Sequence, residues 1–414
     1  MFADSPSVPG AADAQPPPLS AIRSMGIDYE LGLVRVESNS GEILVERLES
    51  EARAPEVGVS ASLYLPAARE LRLALRHGDT ARIRLPDRKA PNETPRGLVI
   101  YLDQLHWIAV AQDLHSPGKL GEGEQEAVER LLGWTRASAI ILPLSAANMV
   151  ETTKLGGPQR RDLGTVMLQL SAGWQMRSPI AVRSAELRRS LKGGEPVADG
   201  VVTLEPGVAA ATPPEPLQVA EGVPVEWAQW FQDITTASAI ASTLVDEEAL
   251  PMVEGLQMAT GWGKKHQRLA EFMRDHRVPK EHARINTRAM LIADLHKEIA
   301  AAAAMVDAED EAFQLWLAEG LERDLSRMPY LGRQHEVIYH RLRNAQDRWE
   351  PNDLFDLNFL SCAAGYVDLV VSENKFSHYL QRAQSRVPAG ARVVAKLPEA
   401  VEDIETLLAN RVDR

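Results

Sequence analysis

Three short, almost wholly apolar runs constrain this chain more than any other feature: Gly97-Leu-Val-Ile-Tyr-Leu102, Ala139-Ile-Ile-Leu-Pro-Leu144 and Val367-Asp-Leu-Val-Val-Ser372. Each has the length of a strand and too few polar residues for a strand with one wet face, so each reads as a strand buried on both sides. Stretches of helical period separate them: one around Trp107 to Leu114, one from Glu124 to Ala137 with Val128, Leu131 and Leu132 on a single face, and one from Asp353 to Ala364. Alternating strand and helix predicts an α/β fold built on a parallel sheet. Val393 to Leu397 is expected to add a last strand before a closing helix.

The rest of the chain divides by texture. Residues 1–20, with Pro16 to Pro18 and no apolar period, read as a disordered leader. Residues 21–95 read as a small β-rich domain, with a hairpin turning at Asn39-Ser-Gly41, a helical stretch from Ala67 to Arg76 and a strand from Ala81 to Leu85. The α/β pattern occupies 96–191 and resumes at 345–414. Between these parts lie a Pro-rich acidic segment, 192–226, read as a mobile linker, and a long Ala-rich helical segment, 227–344, read as an insertion.

Charge and cysteine content narrow the function. The formal net charge is −13, so the molecule as a whole repels polyanions, and any nucleic-acid contact needs a local basic surface. The most basic stretch runs from Lys264 to Lys297, with nine Lys or Arg against four acids, and includes Lys264, Lys265 and Arg268; Arg341, Arg343 and Arg348 follow. The single cysteine, Cys362, excludes an internal disulfide framework and a cysteine-based zinc site, and reads as a buried helix residue. No apolar run reaches the ~20 residues needed to cross a bilayer, so a soluble, cytoplasmic protein is expected.

Ligands of open α/β sheets bind beyond the carboxyl ends of the strands. Acids collect there. Asp103 closes the first apolar run, Glu151 lies in the helix after the second, Asp353 and Asp356 open a later helix, and Glu373 closes the third run. Carboxylates brought together repel unless protonated or bridged by a cation, and oxygen-only donors select a hard ion, Mg²⁺ or Mn²⁺.

Four segments in order, Val99-Ile-Tyr-Leu-Asp103-Gln, Ile140 to Glu151, Asn352-Asp353-Leu-Phe-Asp356-Leu and Val370-Val-Ser372-Glu373-Asn-Lys-Phe376, resemble the PIN nuclease superfamily. Its members carry a strand-end Asp, a Ser followed six residues later by a Glu, an Asp opening a helix, and a strand-end Thr or Ser beside an acid with Phe close behind. The resemblance implies a PIN-like parallel sheet, Mg²⁺ or Mn²⁺ on Asp103, Glu151, Asp353 or Asp356, and Glu373, and an RNA substrate; Ser145 and Ser372 read either as helix-capping or strand-end hydrogen-bonding residues or as polar residues of the site that bind substrate. Asn352-Asp353-Leu favours Asp353 as the third acid, spacing favours Asp356, and at i and i+3 both lie on one helix face. Glu373 stands where the family has Asp, and Asn374 takes that place if the register slips by one. The alternatives are a structure-selective DNA nuclease and an inactive scaffold binding RNA or a protein partner. Lys264, Lys265, Arg268, Arg341 and Arg343 are expected to contact phosphate.

Overall fold

The structure, a computed structural model, describes residues 18–47, 58–88, 93–210, 224–247, 256–344 and 346–412. Residues 1–17 of the expected leader and 211–223 of the expected linker therefore lie outside the described residues.

Six antiparallel strands come first: β1 (Ile22–Asp28), β2 (Leu33–Ser38), β3 (Ile43–Arg47), β4 (Val59–Leu65), β5 (Glu70–Leu75) and β6 (Thr80–Arg84). They form one sheet in the order β3-β2-β1-β4-β5-β6. Gly41, at φ 87°, makes the tight turn of the expected hairpin. The helix expected over 67–76 is absent. Glu70-Leu-Arg-Leu-Ala-Leu75 instead pairs with β4, because Leu71, Leu73 and Leu75 alternate into the core with period 2.

A second, parallel sheet is made by β7 (Leu98–Leu102), β8 (Ile140–Ile141), β11 (Leu369–Val371) and β12 (Arg392–Val394), in the order β12-β11-β7-β8. A short antiparallel pair, β9 (Gln175–Met176) with β10 (Val202–Thr203), extends its edge through a parallel bridge from Leu144 to Gln175. Alternate residues of β7 enter two different cores. Leu98, Ile100 and Leu102 pack with Trp107, Val128, Leu131 and the N-terminal sheet, whereas Val99 and Tyr101 pack with Leu187, Leu331, Leu357 and Leu380. Burial on both faces is worth roughly 1.5–3 kcal/mol per large apolar side chain, which explains why these strands tolerate no polar alternation.

The helices are α1 (Gln104–His115), α2 (Glu122–Arg136), α3 (Ala146–Thr153), α4 (Gly157–Ser171), α5 (Pro179–Leu191), α6 (Val225–Val245), α7 (Leu256–Asp275), α8 (Lys280–Met305), α9 (Asp310–Leu315), α10 (Leu321–Leu325), α11 (Leu331–Leu342), α12 (Asp353–Tyr366), α13 (Asn374–Ala383) and α14 (Leu397–Val412). The interrupting helices are part of the layered fold. α6 packs on α4 and β4, with Ser242 Oγ accepting the Gly58 N–H at 2.7 Å, and α8 and α11 help cover the second face of the parallel sheet. The described part of 192–226 also differs from a mobile linker: Ala198, Val201, Val202 and Leu204 are buried, and Val202 pairs with Met176. No helix among the described residues is long and apolar enough to cross a membrane.

Candidate functional site

From β7 the chain winds through β8 to one side of the parallel sheet, and it later returns through β11 and β12 on the other side. The crevice between the carboxyl ends of β7 and β11 is therefore a topological switch point, where neighbouring connections diverge and leave room for a ligand. Asp103 stands there. It caps α1, its carboxylate accepting the Gln104 N–H at 2.8 Å, and its own N–H donates to Val371 of β11 at 2.9 Å. The Glu373 N–H donates to the same carboxylate, so the two strand-end acids are tied through backbone.

The other acids arrive on helices. Glu151 lies in the second turn of α3, which packs against both α1 and α12, and α12 presents Asp356. Burial raises the carboxyl pKa of Asp103, against the lowering effect of the Gln104 and Glu373 N–H groups and His106. Glu151 is raised by burial and then by Asp103, with Lys154 opposing. Glu373 is raised by burial and then by Asp103, with Lys375 opposing. Asp356 is pushed furthest, up to about 8, by burial and then by Asp103, Glu151, Glu373 and Asp353. Its carboxylate accepts no hydrogen bond from the described residues. Four carboxylates from separate segments thus share one electrostatic field, yet among the described residues no three His, Cys, Asp or Glu side chains are gathered tightly enough to hold a metal ion.

Asp353 has a different occupation. It is buried, its Oδ2 accepts from Arg341 Nη2 at 2.8 Å and from the Glu350 N–H at 2.6 Å, and its Oδ1 lies 3.3 Å from Lys375 Nζ. Arg341 is fully buried. It also binds both oxygens of Asp347, at 2.8 and 3.2 Å, and lies over the Trp349 ring at 4.1 Å from its centroid. The expected phosphate contact by Arg341 is corrected accordingly: its charge is spent fixing the segment ahead of α12. That pairing also separates the two acids at i and i+3, since Asp353 already has its cations and Asp356 has none among the described residues.

Both serines take the capping and strand-end hydrogen-bonding places that the sequence offered them. Ser145 is buried and forms a capping box with Asn148 at the start of α3, with its Oγ 2.9 Å from Tyr101 Oη. Ser372 is buried, with its Oγ 2.8 Å from Ser377 Oγ. Of the basic residues, Arg343 is exposed and donates to Tyr339 Oη at 3.2 Å. Lys265 is held by Asp294 at 2.5 Å, while Lys264 and Arg268 are exposed on α7 without a carboxylate partner among the described residues.

Three further residues neighbour the crevice, and of these Lys375 and Tyr101 carry no role in the sequence reading. Lys375, between Asp347 and Asp353, is the cation closest in sequence to Glu373 and sits inside the fourth segment quoted above, where its position two residues past a strand-end acid was an available signal. His106 is buried beside Asp103, and its ring donates to the Ser372 carbonyl; burial lowers its pKa. Tyr101 lies beneath the acids, its hydroxyl raised well above the usual range by burial and then by Asp103. Comparison with protein-family models, with curated proteins and with solved structures returned no match.

Proposed function

We propose that the protein is a metal-dependent phosphodiesterase of PIN type, acting as an endoribonuclease. The observation that carries this reading is the electrostatic coupling of Asp103, Glu151, Asp356 and Glu373, two of them closing neighbouring strands at the switch point of a parallel sheet, with Asp356 given no cationic partner among the described residues. A group of anions that raise one another's proton affinity is a site that lacks a positive charge. Their all-oxygen chemistry fits Mg²⁺ or Mn²⁺, and the four residues would hold one or two such ions. An ion held by these residues would supply a water of lowered pKa and positive charge opposite the scissile phosphate.

The chain's own groups do the remaining work. Asp103, capped by two N–H groups, is the rigid ligand, and Glu151 and Asp356 close on it from α3 and α12. Arg341 and Asp353 fix the first turn of α12, which sets the direction of Asp356. Lys375 restrains negative charge at the rim.

A second reading, a PIN-like scaffold that binds RNA or a protein without cutting, is favoured by the absence of a ready-made chelating triad among the described residues. One assay separates them. Wild type is expected to cleave a labelled RNA hairpin in Mn²⁺ or Mg²⁺ and not in EDTA, with weaker cutting of the matched DNA hairpin. Asp103→Asn is expected to lose at least about a hundredfold in rate, since it removes a charged ligand at nearly constant shape. Undiminished cleavage by purified Asp103→Asn refutes the site, and inactive wild type with intact RNA binding supports the scaffold.

A further inference from the structure

Helix α7 carries Lys264, Arg268 and Phe272 at successive i,i+4 positions, with His276 four residues further on in the turn just past its end; all four are exposed, while Gly263, His266, Ala270 and Met273 are buried. The three helical positions make a row along one side of the helix, roughly 12 Å long, that His276 extends. We infer that this row is a track for single-stranded RNA leading to the carboxylate crevice; the inference rests on the phosphodiesterase reading and names how that site takes its substrate.

Charge is the first support. The stretch from Lys264 to Lys297 is the basic part of a chain of net charge −13, but many of its cations are already occupied. Lys265 pairs with Asp294, Arg274 with Asp275, Arg284 with Glu336 and Arg288 with Glu322. Lys264 and Arg268 retain their charge for an external anion. The acids nearest the row are themselves engaged, Glu271 by Gln267 and Asp275 by Arg274.

The aromatic half of the row is the second support. Phe272 is 48% exposed, and its ring lies 4.3 Å from that of His276 at an interplanar angle of 31°. The His276 Nδ1–H donates to the Phe272 carbonyl at 3.0 Å, which fixes the imidazole beside the phenyl face. A cation pair followed by an exposed aromatic pair is the chemistry that holds unpaired nucleotides, with phosphates on the cations and bases on the rings, and it is indifferent to sequence because every base has a π face.

Position is the third. Gln267, between the two cations, accepts the Trp349 N–H at 3.2 Å, and a side chain at Gly263 would meet the Trp349 carbonyl at 3.5 Å. Trp349 lies four residues before Asp353 and α12. The cationic end of the row therefore abuts the segment that carries Asp356, and the aromatic end points away along the path of the incoming strand.

The test is fluorescence anisotropy with a 5′-labelled oligouridylate of about 12 nucleotides on full-length Asp356→Asn in EDTA, where binding is read without cleavage. Lys264→Ala with Arg268→Ala should lower the slope of log K against log salt by about 1.4, at roughly 0.7 per single-strand phosphate contact. Phe272→Ala should weaken binding about tenfold without changing that slope. Phe272→Leu keeps apolar area and removes the π face, and should match Phe272→Ala. An unchanged slope in the double variant or wild-type affinity in Phe272→Leu overturns the inference. Cleavage by wild type in Mn²⁺, measured alongside, separates the two claims: an active enzyme with unaffected variants refutes the track alone, and an inactive one with the expected binding losses refutes the phosphodiesterase reading alone.

Discussion

Asp353 and Asp356 lie three residues apart on one helix, and their replacement by Asn is expected to move stability in opposite directions. In the metal-free protein Asp356→Asn removes a carboxylate that burial, Asp103, Glu151, Glu373 and Asp353 push up to about 8 from an ordinary 3.8. The sign follows from linkage. Below about pH 4 the group is protonated in both folded and unfolded chains and costs nothing; as pH rises towards 8 the unfolded chain ionises while the folded one resists, so stability falls across that window. Four units at ~1.4 kcal/mol each set an upper bound of about 5–6 kcal/mol. Side-chain relaxation and counter-ions reduce this to an expected gain of about 1–3 kcal/mol for Asp356→Asn at pH 8, and nearly none at pH 4. Asp353→Asn instead breaks a buried pair with Arg341, whose remaining partner is Asp347. Breaking such pairs costs about 3 kcal/mol or more. Thermal melting in EDTA from pH 4 to pH 8 reads both, at roughly 2–4 °C per kcal/mol for domains of 150–250 residues. A destabilised Asp356→Asn whose deficit is independent of pH, or a neutral Asp353→Asn, refutes the division of roles between the two acids.

Other expectations are independent of catalysis. Glu186 is fully buried and accepts the Tyr330 and Leu331 N–H groups at 2.7 and 2.9 Å and the Tyr366 hydroxyl at 2.7 Å, so Glu186→Ala should destabilise by about 3–5 kcal/mol in chemical denaturation by orphaning the start of α11. Burial pushes its pKa up to about 7 against those hydrogen bonds; its contribution is full below about pH 4.5 and declines as pH rises through 7, so Glu186→Gln should flatten the stability profile over that range. Ser145→Ala removes the capping box of α3 and should cost about 1 kcal/mol while leaving cleavage within a few-fold of wild type. A hundredfold loss of rate there would return Ser145 to the substrate.

The strands of the parallel sheet were legible because β7 and β11 are buried on both faces, and a double-sided burial leaves a continuous apolar run in the sequence. Their terminal acids were legible as strand ends for the same reason, although an Asp there commonly caps the next helix, as Asp103 does for α1. Glu70 to Leu75 misled because Ala, Leu, Arg and Glu favour helix locally, while the deciding period of 2 spans only six residues. The stretch after Lys192 misled through its prolines and acids, which mask the few residues, Val201, Val202 and Leu204, that bury it. Arg341 was assigned to phosphate because a lone arginine looks available in sequence. Its partners Asp347 and Asp353 become visible only when α11 and the turn before α12 are folded together. The choice between Asp353 and Asp356 rested on the same missing partner.

The central claim is that Asp103, Glu151, Asp356 and Glu373 converge on a divalent cation. A crystal structure of the protein soaked in Mn²⁺, with anomalous scattering recorded to place the metal, tests it most directly. The account predicts Mn²⁺ between the carboxyl ends of β7 and β11, with oxygens of Asp103, Glu151, Asp356 and Glu373 drawn to about 2.0–2.3 Å and Asp353 still paired with Arg341. An empty crevice at saturating Mn²⁺, or Mn²⁺ held by Asp353 after it has left Arg341, would contradict it.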